Sequence, residues 1–277
     1  MHNLIRSELY KLFHGRSFWT LLIISAVTGL AVVLIFKGML SLTAEHPELN
    51  RAGAGAGQNG FQISASGSAT ADDFDISGIS LMMETFSGNL YQTLILIFTS
   101  IFTAMEFSHG TVRNIVSRGL GRERIYLAKY LCNMAASLLF ALAAMAVSFV
   151  TASILWGAGT VTAASVLTLV KTILVQLLLL AAYSGVCMFI AILFRSSGGA
   201  VALNFCLLIF LPSLLSLSGI FTGGRLQLER YWLINCASSI ASPAPDTAAL
   251  CTAVSSGLIT LVLSVLLGVF CFKKRDI

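Results

Sequence analysis

The sequence predicts an all-α membrane protein: one polytopic transmembrane domain over residues 1–277 with six spans, both termini cytoplasmic. Three observations predict it. Of 277 residues, 57% are hydrophobic and only 10% charged, with a mean hydropathy of +0.88, whereas soluble domains carry roughly 25% charged residues. Uncharged runs approaching the ~20 apolar residues that cross a hydrocarbon core recur along the chain. The basic residues behind the +5 net charge lie beside those runs and not on a soluble face, which points to membrane topology and away from nucleic acid.

The spans follow in order. Residues 18–36 are uncharged and longer than the apolar core of a cleaved leader, roughly 7–15 residues; Arg6, Lys11 and Arg16 precede them. The others cover 90–105, 131–155, 172–194, 199–221 and 250–272. Lys171 would cost roughly 2.5–3.5 kcal/mol at midspan, so the fourth span is expected to start after it, with the Lys171 amine snorkelling to the headgroups. Residues 37–88 form an outside loop whose AGAGAGQNG and SASGSAT tracts bury little apolar area and are expected to be mobile; its far end, about 77–90, reads as helical. A second outside loop, 222–249, is expected to lay a short interfacial or re-entrant helix around Trp232.

Orientation comes from the Lys and Arg count at span ends. With the N-terminus inside, Arg6, Lys11, Arg16, Arg113, Arg118, Arg122, Arg124, Lys129, Arg195, Lys273, Lys274 and Arg275 are cytoplasmic, twelve of the seventeen basic residues; Lys37, Arg51, Lys171, Arg225 and Arg230 are outside. Trp19, Tyr126 and Tyr130 at inner ends, and Tyr91 and Trp156 at outer ends, read as interfacial belt residues. Five of the six cysteines lie in or beside apolar runs and Cys236 lies outside them; no CxxC or Cys/His spacing suggests a metal.

Two cytoplasmic segments stand out. In NLIRSELYKLFHGRSFW, Ile5, Leu9, Leu12 and Phe13 form a stripe at helical spacing, with Arg6, Glu8, Lys11 and His14 on other faces; such a helix lies in the membrane interface. In EFSHGTVRNIVSRGLGRERIYLAKYL, Ser108 can cap a helix, Val112, Ile115 and Val116 make a short apolar stripe beside Arg113, Asn114 and Arg118, and Gly119 and Gly121 end it. This stripe suits either a groove on a soluble partner or the lipid surface.

The second segment resembles the first cytoplasmic loop of type-2 ABC exporter permeases, the group that includes bacitracin- and lantibiotic-resistance permeases. There an acidic residue ends span two, followed by Gly-Thr, a small aliphatic and a basic residue, as in Glu106, Gly110, Thr111, Val112 and Arg113. The opening is similar too, a Glu-x-x-Lys pattern (Glu8, Lys11) leading through basic residues to an aromatic. The resemblance covers most of the chain in layout and about 40 residues in motifs; the Gly/Ala/Ser loop departs from it. It implies a permease subunit paired with a second one, identical or paralogous, and with a dimer of cytoplasmic ABC ATPases. Glu106, Gly110, Thr111, Val112, Arg113, Ile115, Val116 and Arg118 would then form the coupling element, and the N-terminal helix with Glu8, Lys11 and Phe13 would pack beside it. The turn at Arg195, Ser196, Ser197 and Gly198 would be a lesser contact. No GxxxxGK[ST] occurs, so this chain is expected to bind no cofactor, and ATP with magnesium belongs to the partner.

Other function classes fit less well. A gradient-driven secondary transporter usually carries ionisable groups at the midplane, and the expected spans hold none at their centres. Their polar residues, Asn89, Asn133, Gln176, Tyr183 and Asn204, read first as interhelical hydrogen-bonders. An intramembrane enzyme would need a catalytic couple at depth, yet His2, His14, His46 and His109 all lie outside the spans. A non-transporting sensor or assembly protein remains as a third reading. Pro212 reads as a kink, and Gly185 and Gly268 as close helix contacts.

Overall fold

A computed structural model describes residues 2–45, 78–87, 89–108, 121–157, 163–194, 196–221, 228–241 and 246–274. Among these every regular element is helical: α1 (His2–His14), α2 (Arg16–Glu45), α3 (Gly78–Ser87), α4 (Asn89–Ser108), α5 (Arg122–Trp156), α6 (Ala163–Phe194), α7 (Ser197–Phe221), a 3-10 turn (Leu228–Tyr231), α8 (Leu233–Ser239) and α9 (Thr247–Lys274). Helices dominate because lipid offers the backbone no hydrogen-bond partners, so each span must satisfy its own N–H and C=O groups.

Among the described residues five stretches are long and apolar enough to cross a membrane: Arg16–Leu42, Arg122–Trp156, Val166–Phe194, Ser197–Gly219 and Thr247–Lys273. Tyr91–Met105 is apolar but shorter. Several helices outrun the expected spans. α2 continues through Lys37 to Glu45, so the first part of the expected loop is helix; no Pro stops it there, and the Lys37 side chain is exposed. α3 occupies the far end of that loop. Its middle, 46–77, lies outside the described residues. α6 starts at Ala163, which puts Lys171 within a helix and not before one; its side chain is exposed, free to reach past the apolar stretch. α5 reaches back to Arg122, and at 35 residues it is roughly 50 Å long, longer than the ~30 Å hydrocarbon core. Gly157 ends it at φ +91°, the left-handed region that glycine enters freely, and its carbonyl accepts the Gly78 amide at 3.0 Å, joining α5 to α3.

α6 is the centre. It packs on α4, α5, α7 and α9, while α2 and α3 pack on α5. Close approach of helices depends on small residues, since lipid gives no hydrophobic drive between spans. A side chain on Gly29 would strike the Ala144 carbonyl, one on Gly185 would meet the Ser264 hydroxyl, and one on Gly268 would collide with the Tyr126 ring. Polar side chains fasten the same seams: Asn204 Nδ2 donates to the Ser100 hydroxyl (2.8 Å) and the Cys187 carbonyl (3.1 Å), Thr99 donates to Asn133 Oδ1 (3.1 Å), and Ser25 donates to the Phe140 carbonyl (2.7 Å). Pro212 sits inside α7 without ending it.

α8 is the short helix expected near Trp232, and of the two placements left open for it, interfacial or re-entrant, it does not lie flat on the surface. Trp232 stands at its N-terminal boundary, and Leu233, Ile234, Cys236 and Ala237 are all buried. The helix rests on α3, α6 and α9, inside the bundle end and not on its outer surface. It carries no charge of its own, so it can be buried at the cost of few polar groups. Burial pushes the Cys236 thiol up from its ordinary value, against the opposing pull of the Ser256 hydroxyl and the Arg230 charge.

Candidate functional site: the basic end of the bundle

The end of the bundle opposite α8 gathers the cations. Here the junction of α1 and α2, the start of α5 and the last turn of α9 come together, bringing Arg6, Lys11, Arg16, Arg122, Arg124 and Lys273 to one side. The Arg122 guanidinium donates to the Lys273 carbonyl at 3.0 Å, where it caps the C-terminal end of α9, and the Lys273 amine pairs with Glu123 at 3.0 Å. A cation on the last carbonyls of a helix is electrostatically favoured. These contacts fasten α5 to α9 where both leave the apolar stretch. Beneath them Ile125, Tyr126, Tyr130, Met188, Ile192 and Phe272 form a buried cluster, with Leu4 of α1 packed against it.

α1 packs on the start of α5. Leu12 is buried, and Ile5 and Leu9 pack against the main core, as their spacing predicts. Two residues depart from the expectation. Phe13 is exposed, packing edge-on against Phe18 at 5.3 Å. Glu8 is buried at 4% exposure, not on a solvent face. Lys11 explains how that is tolerated: one turn along, its amine lies 2.7 Å from Glu8 Oε1. The Glu-x-x-Lys spacing therefore makes an i,i+3 pair whose acidic member is buried between helices. Glu8 Oε2 has no hydrogen-bond partner among the described residues. Gly15 then turns the chain, and the Trp19 indole N–H donates to the Phe13 carbonyl at 2.8 Å, satisfying one open group at the end of α1.

Tyr126, Tyr130 and Tyr91 correct the sequence reading. They are buried instead of forming an interfacial belt. Their hydroxyls bond backbone carbonyls of facing helices: Tyr126 to Ser264 (3.4 Å), Tyr130 to Ala181 (2.9 Å) and Tyr91 to Ser137 (3.0 Å). The sequence did carry a signal, since Gly268 and Gly185 leave the gaps that the Tyr126 and Tyr130 rings fill. Trp19, by contrast, is exposed. Lys129, counted as a cytoplasmic surface base, is buried, with its amine 5.0 Å from the centre of the Phe102 ring; a cation over an aromatic face is attracted by the ring quadrupole.

Of the expected coupling residues, Glu106 lies in the last turn of α4, which thus ends close in sequence to the segment in question. Gly110, Thr111, Val112, Arg113, Ile115, Val116 and Arg118 lie outside the described residues, as does Arg195. In the turn after α6, Ser196 caps α7: its hydroxyl accepts the Gly199 amide at 3.0 Å and its carbonyl the Ala200 amide at 2.9 Å. Among the described residues no group of three or more His, Cys, Asp or Glu is placed to hold a metal.

A family model described as ABC-2 family transporter protein matches residues 4–211, from α1 into the second half of α7. No curated protein matches the chain.

Proposed function

The chain belongs to the ABC-2 transporter family, and from that premise we propose that it is a permease subunit of an ATP-driven exporter in the cell membrane. In this reading the chain crosses the membrane six times, the shorter α4 included, with both termini in the cytoplasm. A dimer of cytoplasmic ABC ATPases docks on the basic end, and a second permease subunit completes the pore. The substrate is an amphiphile such as a peptide antibiotic, a drug or a lipid-like molecule. The observation that carries this reading is the gathering of Arg16, Arg122, Arg124 and Lys273 at one end of a family-matched bundle, since basic residues at span ends are retained on the cytoplasmic side, where ATP is.

The coupling element is residues 108–118, suspended between α4 and α5. Val112, Ile115 and Val116 fill a groove on the ATPase while Arg113 and Arg118 pair at its rim. Movement there passes to α5, and through the Arg122 and Tyr126 contacts to α9, as a rigid-body tilt between two states. The Glu8–Lys11 pair lies at the same end, within α1, which packs on α5. Replacing Ile115→Asp or Val116→Asp puts a charge into the groove. Both variants should insert normally yet lose co-purification of the ATPase and resistance to the exported compound. Unchanged ATPase recovery and unchanged resistance would remove the coupling assignment. A gradient-driven transporter would instead lose activity to a protonophore and keep it under ATP depletion.

A further inference from the structure

The face of α1 that the core leaves uncovered is both aromatic and basic. Ile5, Leu9 and Leu12 turn inward together with the buried Glu8, so the opposite stripe, Arg6, Tyr10 and Phe13 at i, i+4 and i+7, is exposed. Tyr10 is 64% exposed and Phe13 43%, and the His14 ring stacks on Tyr10 at 3.9 Å. After the turn at Gly15 the strip passes to α2, where Arg16 and Trp19 are exposed and the Trp19 indole is held to the Phe13 carbonyl. It then runs on through Ile23, Val27, Leu30 and Leu34, all exposed and again on one face of a helix. The charge along it has one sign. Glu8 is the only acidic residue before Glu45, and it is buried and paired with Lys11. Among the described residues neither the Arg6 nor the Arg16 side chain makes a hydrogen bond or an ion pair.

We propose that this strip is a docking surface for anionic phospholipid, whose phosphates pair with Arg6 and Arg16 while Tyr10, Phe13 and Trp19 sit among the headgroups. Tyrosine and tryptophan suit that layer because each offers an apolar ring and a polar edge. A guanidinium matches a phosphate with two charge-assisted hydrogen bonds. Continuity selects lipid over a soluble partner. Trp19 stands in the first turn of Arg16–Leu42, a stretch long and apolar enough to cross a membrane, and its face continues into the exposed aliphatic side chains of the same helix. A protein bound from the water cannot follow the strip to that depth. The stripe whose spacing alone suits the membrane interface, Ile5, Leu9 and Leu12, is occupied by the protein's own core, which leaves the aromatic face as the one that meets lipid. The proposal does not rest on the ATPase reading, since it concerns the lipid beside α1 whichever partner docks at that end.

The test uses the full chain carrying Trp156→Phe and Trp232→Phe, which leave Trp19 as its only tryptophan, in phosphatidylcholine nanodiscs. A minor fraction of the lipid bears a nitroxide quencher near the glycerol, either as phosphatidylglycerol or as phosphatidylcholine. Labelled phosphatidylglycerol should gather beside Trp19 and quench it at a much lower fraction than labelled phosphatidylcholine. Arg6→Gln and Arg16→Gln should each cut that preference about fivefold, Arg6→Lys and Arg16→Lys should keep most of it, and high salt should weaken it. Unchanged quenching by labelled phosphatidylcholine shows that each variant still places Trp19 in the bilayer. Equal quenching by the two lipids, or a preference that survives both glutamine substitutions, overturns the proposal. Loss of the preference on adding glycerol phosphate in solution overturns it too, assigning the arginines to a soluble phosphate. Weak quenching by both lipids, with Tyr10→Ala lowering recovery of a co-expressed ATPase, would give the strip to a protein partner instead.

Discussion

α6 and α7 follow one another in the chain and are almost equally apolar, yet 67% of the most apolar stretch of the first is buried within the protein and 17% of that of the second. Hydropathy reports that both helices suit lipid. It does not say which one lipid touches. The difference lies in side-chain size and in polar groups. α6 presents Ala181, Ala182, Ser184, Gly185, Cys187 and Ala191 to its neighbours, all buried, and these let five other helices approach its backbone. α7 turns Leu203, Phe205, Ile209, Phe210, Leu214 and Leu217 outward, and meets α4 and α6 through Ala200, Leu208 and the hydrogen-bonded Asn204. In a membrane the interior of a protein is marked by smallness and hydrogen bonding, because apolar area alone gains nothing over lipid tails.

Gly185→Leu should break the comparison most severely. Even its first added carbon would lie 2.5 Å from the Ser264 hydroxyl and 3.2 Å from the Tyr130 ring. Overpacking on this scale costs about 3 kcal/mol, and size-exclusion chromatography in mild detergent should show loss of the monodisperse peak. A normal profile would mean that α6 is not the tight centre described.

Asn204→Leu should have an intermediate effect. It leaves volume nearly unchanged while removing two hydrogen bonds from α7, so about 1 kcal/mol of stability should be lost, read as a lower melting temperature. Phe210→Ala should do least. Phe210 is 59% exposed, so the effect on this chain alone should stay within about 0.5 kcal/mol. If it instead weakens recovery of a second permease subunit while stability holds, the outer face of α7 is occupied by protein in the complete transporter and not by lipid.

Much of this molecule was legible from residue order because the membrane imposes simple demands. Length and apolarity located helices at all six expected spans, and small residues such as Gly185 and Gly268 were correctly read as contact points. Asn133, Gln176 and Asn204 proved to be interhelical hydrogen-bonders, as their chemistry suggested. Where helices began and ended was less legible. Lys37 and Lys171 looked like boundaries, but a long flexible amine can leave the apolar layer without ending the helix that carries it. The tyrosines misled for a related reason: an amphipathic ring suits the membrane interface and suits equally a buried seam where a carbonyl accepts its hydroxyl.

The sequence by itself determined that this chain lives in lipid as a helical bundle, where its basic residues fall along the chain, and the family to which its opening and first loop point. Only the tertiary structure decided that α6 is the core, that Glu8 and Lys129 are buried, that α8 folds inward as a cap, and that Arg6, Tyr10 and Phe13 form the exposed face of α1. Hydropathy and charge are properties each residue carries alone. Burial and partnership arise from which helices meet, and contacts such as Asn204 with Ser100 join positions far apart in the chain.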